Sequence, residues 1–200
     1  MSALAASTTR SARRRIALLT LALSVFAAPL LSQELEPARV KRLRAPDVDY
    51  EPSAPNVARA MLRMAEVSAN DVVYDLGCGD GRIAIMAARE FGARAVCVDI
   101  DPKRTMEADA NVRKAGVAGR VDIRNEDLFE TEIVGASVVT LFLWPEVNIK
   151  LRSRLLRELL PGTRVVSHFH DMGDWTPQEP RTIRAGNRER SLYLWVIPPR

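Results

Sequence analysis

The chain has 200 residues, 47% of them apolar, enough for one α/β domain with a packed core. It carries 29 Lys and Arg against 25 Asp and Glu, a formal net charge of +4 and a pI near 9.4. Arg10, Arg13, Arg14 and Arg15, in an acid-free leader, account for all of that excess, so the neutral body argues against a basic, sequence-blind nucleic-acid surface.

That leader reads as a cleavable signal peptide or an uncleaved signal anchor over 1–32. A basic start is followed by the charge-free stretch 16–31, and Val25-Phe26-Ala27 offers small residues at a cleavage site. The apolar run is short for a full span, which needs about 20 residues. Either form of export places the body beyond the membrane, in the periplasm or anchored to its surface. A mitochondrial presequence is a further reading, and a misread translation start would leave the protein cytoplasmic. The expected organisation continues with a linker over 33–49 and one domain over 50–200.

Within that domain the elements alternate. A helix over 56–67 places Val57, Ala60, Met61, Met64 and Ala65 on one face. A first strand spans 72–75 and its helix 82–91. A second strand spans 94–100, with a helix over 102–115 that Gly116 closes. A third strand lies near 121–125 and a fourth over 137–143. A leucine-rich helix over 147–160 stops at Pro161-Gly162, and a fifth strand spans 164–169. Segments 182–184 and 192–196 read as a terminal hairpin-like pair. This rhythm predicts a doubly wound α/β sheet, mostly parallel, with ligands at the carboxyl ends of its strands.

The run Asp75-Leu76-Gly77-Cys78-Gly79-Asp80-Gly81-Arg82 follows the first strand and opens its helix. Alternating glycines let backbone pass close under a ligand, and a helix N-terminus favours the ligand's anionic group. The spacing is G-x-G-x-G, and Arg82 stands where a dinucleotide fingerprint needs a third Gly or Ala. Acids beside the turn repel a pyrophosphate but suit a ligand with an ammonium and a sulfonium. The stretch resembles motif I of class I S-adenosylmethionine-dependent methyltransferases, which implies a Rossmann-like sheet closed by an antiparallel C-terminal strand. Asp99 lies 22 residues past Gly77, at the end of the second strand, where an acid takes the ribose hydroxyls. Asp101 reads equally as the cap of the helix that Pro102 opens. After the third strand, Asp127 is placed on the adenine amine, with Leu128 or Phe129 packing on the ring.

Methyl transfer is an in-line displacement that asks the protein to position and desolvate a nucleophile. The fourth strand ends Phe142-Leu143-Trp144-Pro145-Glu146 and lacks the Asn/Asp-Pro-Pro-Tyr motif that holds planar amines. Trp144 is read either as a wall for a cationic acceptor or as a cover for the cofactor. At the fifth strand's end, alternation puts His168 and His170 on one face and Ser167 and Phe169 on the other. His168 is either a proton acceptor for the incoming group or a structural histidine bonded to the loop. There is no metal-ligand spacing. Of the two cysteines, Cys78 reads as facing the cofactor and Cys97 as core, so they are expected not to pair.

A wider resemblance runs over about 50–198. Tyr50-Glu51-Pro52-Ser53 with the Gly79-Asp80-Gly81-Arg82 turn, Leu160 to His168, Met172-Gly173-Asp174-Trp175 and Tyr193 to Pro198 are similar to a group of small bacterial methyltransferases. The entry and motif also resemble the mitochondrial lysine methyltransferases of the ATP synthase c-subunit and adenine nucleotide translocase. The resemblance implies S-adenosylmethionine held by Tyr50, Asp75, Gly77, Gly79, Asp80, Asp99, Asp127 and Leu128, and a protein lysine, small amine or thiol as acceptor. Two other readings remain: a non-catalytic S-adenosylmethionine-binding protein and, disfavoured by Arg82, a nicotinamide-dependent oxidoreductase.

Overall fold

The computed structural model describes residues 43–200, and the leader expected over 1–32 lies outside them. Seven strands form one sheet in the order β3-β2-β1-β4-β5-β7-β6. They are β1 (Val72–Leu76), β2 (Arg94–Asp99), β3 (Val121–Asn125), β4 (Val138–Leu141), β5 (Arg164–His168), β6 (Glu179–Ala185) and β7 (Arg188–Val196). The first five run parallel, while β7 is antiparallel to both β5 and β6. The chain order turns back between β1 and β4, the switch point where such sheets bind ligands.

Both faces are covered where the strands are apolar throughout. On one face Val73, Val138 and Val166 pack under α1 (Pro55–Met64) and α2 (Arg82–Phe91). On the other, Leu76, Val139, Leu141 and Val165 pack against Leu151 and Leu155 of α4 (Pro145–Glu158). The helices α1, α3 (Pro102–Lys114) and α4 each begin with a proline, whose missing N–H costs nothing in a first turn. Asp101 caps α3 by accepting from the Lys103 N–H, the role read from Pro102.

In keeping with the elements read from the sequence, no helix joins β3 to β4 or β5 to β6, so the strand–helix rhythm holds only through β3 and again across α4. One expectation changes. At the end of β5 the alternation stops at His168, because Phe169 has a positive φ of 70° and turns the chain. His170 therefore does not follow His168 along a strand face. No helix among the described residues is long and apolar enough to cross a membrane.

Candidate active site

The carboxyl ends of β1, β2 and β4 open into a cleft of about 250 Å³. Gly77 and Asp99 line it together with the apolar Leu128, Leu143 and Val147 and with Tyr50 and Glu51 of the entry segment. A smaller compartment lies beside it, lined by Tyr50 to Ser53, Asp75, Gly77, Asp80 and Phe142. Gly77, Tyr50, Glu51 and Phe142 border both.

The glycine turn is held from below. The N–H groups of Gly77 and Cys78 both donate to the Val98 carbonyl, and that of Gly79 to Asp99 Oδ2. Asp99 Oδ1 accepts the Asp101 N–H, so each oxygen already holds one backbone donor and keeps lone pairs for a hydroxyl. Burial raises the Asp99 pKa above the usual carboxylate value. Gly77 and Gly79 have φ of 81° and 56°, and a Cβ at Gly79 would run into the Tyr50 ring. That close approach is what the glycine spacing serves.

Asp75 is almost fully buried, one oxygen accepting from the Thr140 hydroxyl at 2.6 Å and Oδ2 without a partner. Burial drives its pKa to about 7, with Asp99 and Asp80 adding to the shift. A buried carboxylate with one free oxygen beside a compartment suits a ligand's ammonium. Asp80 is paired bidentately with the Arg82 guanidinium, which outweighs burial and holds its carboxyl below the ordinary range. Arg82 also donates to the Ser53 carbonyl at 2.9 Å, so it ties the entry segment to the turn. Tyr50 is covered by the Arg104 guanidinium at 4.4 Å.

Three expectations are corrected. Asp127 does not line the cleft; both its oxygens take Arg44, at 2.6 and 3.1 Å, and one also takes the Phe129 N–H. Its carboxylate is engaged, and of the two apolar residues after it Leu128 lines the pocket and Phe129 does not. Cys78 and Cys97 form a disulfide beneath the turn, because the shared Val98 acceptor folds Cys78 back over β2. Trp144 neither lines nor covers the cleft: it ends 54% exposed at the N-cap of α4.

His168 is buried at the end of β5, with Nδ1 2.9 Å from Ser53 Oγ and Nε2 without a partner. Its ring lies against Phe142 with centroids 3.9 Å apart. Burial lowers its pKa to about 4, and the charges of Arg190 and His170 push the same way, so the ring is neutral near pH 7. With its pKa lowered the neutral ring is a weak proton acceptor, and it serves as a hydrogen-bond partner to Ser53. Sequence reasoning missed Phe142, Leu143, Val147 and Arg104. The first three were legible only as apolar residues at the end of a strand and the start of a helix, which every core position resembles. The segment 46–49, read as linker, contributes Pro46, Asp47, Val48 and Asp49 to the cleft.

Known proteins resemble this chain through the same region. The family model for the ANTKMT methyltransferase domain matches residues 75–179. A protein-lysine N-methyltransferase of Saccharolobus islandicus (strain REY15A) is 48% identical over 153 residues, 76% of this chain and 95% of its own. The mouse lysine N-methyltransferase of the ATP synthase c-subunit is 30% identical over 135 residues, 68% of this chain and 54% of its own. Among solved structures, an RNA methyltransferase from Salinibacter ruber in complex with S-adenosyl-L-homocysteine superposes with a TM-score of 0.70 at 49% identity, covering 75% of this chain and 95% of that one. The family match begins at Asp75, the buried carboxylate with a free oxygen, and runs through the glycine turn and Asp99. The chain therefore belongs to the ANTKMT methyltransferase-domain family and is an S-adenosylmethionine-dependent methyltransferase.

Proposed function

We propose that the methyl acceptor is a lysine side chain of a protein. The observation that carries this reading is the 48% identity, over nearly the whole of its length, to a relative named for that activity. Charge supports it in part: of the acids that line the cleft, Asp47 is paired with Arg44, Asp101 caps α3 and Asp99 holds two backbone N–H groups, which leaves Asp49 and Glu51 against Arg104. Such a lining attracts an ammonium and repels a phosphate backbone. The Salinibacter ruber neighbour, named an RNA methyltransferase, favours a second reading, an RNA base, which the acidic lining opposes.

In this reading Asp75 Oδ2 takes the cofactor's ammonium, Gly77 and Gly79 let its backbone approach, and Asp99 takes the ribose hydroxyls. Leu128, Leu143 and Val147 pack on the adenine. S-adenosylmethionine supplies the methyl carbon, and the protein holds a neutral amine in line with it and keeps water away. The full chain is incubated with methyl-labelled S-adenosylmethionine, lysine-bearing proteins and total RNA, and the products are hydrolysed. Methyllysine is the expected product; label recovered in nucleosides and none in lysine refutes the reading.

The leader and the Cys78–Cys97 bridge together support export, since buried disulfides persist in oxidising compartments. Fractionation of cells expressing the full chain tests this, and a wholly cytoplasmic, reduced protein would overturn it.

A further inference from the structure

The connection from β3 to β4 contains no helix, and the sheet face beside it opens into a second cavity, of about 580 Å³. Strand alternation sets what lines it. Tyr74 of β1, Arg94 and Val96 of β2, and Asp122 and Arg124 of β3 share that face, with Arg120 one step before β3. The cavity reaches the amino-terminal ends of these strands, whereas the cofactor cleft opens at their carboxyl ends. The two are separate sites.

Register makes Arg94 and Arg120 neighbours: Ala95 pairs with Val121, and the Ala95 N–H donates to the Arg120 carbonyl at 2.8 Å. Like charges side by side on adjacent strands are unfavourable. No acid offsets this pair. The Arg94 guanidinium has no hydrogen-bond or ion-pair partner among the described residues, and Arg120 gives one N–H to the Gly92 carbonyl. Asp122, the one acid in the lining, is paired with Arg124, which itself covers the Tyr74 ring. We propose that this cavity is a phosphate-binding site, in which Arg94 and Arg120 together hold the phosphate of a monoester whose organic part lies towards Tyr74 and Val96. Oxygen count selects phosphate over carboxylate. One guanidinium fork fills a carboxylate's two oxygens, whereas a phosphate monoester offers three oxygens and close to two charges to two forks. The excess of charge is local, in a body whose acids and bases balance, so it suits one anionic group and not a nucleic-acid backbone.

The test uses the full chain saturated with S-adenosylhomocysteine, which fills the cofactor cleft, and calorimetry with phenyl phosphate and with benzoate. Phenyl phosphate binds and benzoate binds far more weakly. Arg94→Gln weakens phenyl phosphate about tenfold, with melting temperature and S-adenosylhomocysteine affinity unchanged, because Arg94 holds nothing in the free protein. Arg94→Lys keeps the charge but loses the fork, so it recovers only part of the affinity. Arg188→Gln, at the start of β7 and outside the cavity, leaves binding as it is. Vesicles of phosphatidylcholine doped with phosphatidic acid separate the two sources of such a group. Retention on them that Arg94→Gln abolishes assigns a lipid headgroup, and binding of phenyl phosphate without retention assigns a soluble ester. Binding to neither phosphate source, benzoate as tight as phenyl phosphate, or an Arg188→Gln loss equal to that of Arg94→Gln overturns the site. If Arg94→Gln melts early, Arg94→Lys decides: wild-type affinity in that variant overturns the paired forks.

Discussion

Asp75 and Asp99 are both strand-end acids, yet their surroundings give them different jobs. Asp75 is sealed beneath the turn with one bare oxygen, and its pKa of about 7 lies far above that of an unfolded aspartate. Its protonated form is therefore favoured by folding: that contribution to stability is full below about pH 4 and is lost as pH rises through about 7. Cofactor binding runs the other way. An ammonium needs the ionised carboxylate, so S-adenosylmethionine affinity is expected to rise from about pH 6 towards 7.5 and to fall again as the ligand's own amine deprotonates near 8. Calorimetry across that range checks it, and Asp75→Asn should flatten the lower limb. Asp99 works through geometry instead, because it holds the Gly79 and Asp101 N–H groups. Asp99→Ala is expected to weaken S-adenosylmethionine at least about tenfold and to cost roughly 1–3 kcal/mol of stability from the orphaned donors. Unchanged affinity would reject the ribose assignment.

At the scale of elements, the glycine turn is a short loop fastened on three sides. Val98 holds it from β2, Arg82 ties it to Ser53, and the Cys78–Cys97 bridge crosses beneath it. The bridge spans 19 residues, a loop whose closure is worth about 3 kcal/mol in the chain-entropy account. The Cys78→Ala, Cys97→Ala double variant should lose about that much in denaturant unfolding, with cofactor affinity falling less because the Val98 and Asp99 contacts remain. Both sulfurs are buried, so mild reductant should act slowly on the native protein and fully on the unfolded one. The entry segment is the second fastened element. Its Tyr50 ring fills the space that glycine leaves at position 79, and its Ser53 meets His168 across the sheet end.

For the whole molecule, the boundary of the folded unit matters more than its strand order. Residues 43–49 close the cleft: Arg44 pairs with Asp127, and Pro46 to Asp49 form one wall. A chain beginning at 50 should still fold on the same sheet but bind S-adenosylmethionine more weakly than one beginning at 41. Calorimetry and melting of the two forms separate these effects, and equal affinity would show that the segment is a linker after all. Arg44→Ala should reproduce part of the loss, since it frees Asp127 and loosens the same wall.

The sequence by itself determined the sheet, the glycine turn, the class of cofactor and the place of Asp99. Each depends on short-range periodicity or fixed spacing: apolar strand runs, prolines at first helical turns and G-x-G-x-G after a strand. Tertiary structure decided everything that joins distant segments. The pairing of Cys78 with Cys97, Arg44 with Asp127 and Ser53 with His168 follows from register and from loops folding back, which no local pattern encodes. Phe142 became a site residue, and Trp144 ceased to be one, for the same reason. An aromatic residue after a strand reads alike in either case, and only the neighbouring strand end says whether it faces the cleft or the solvent.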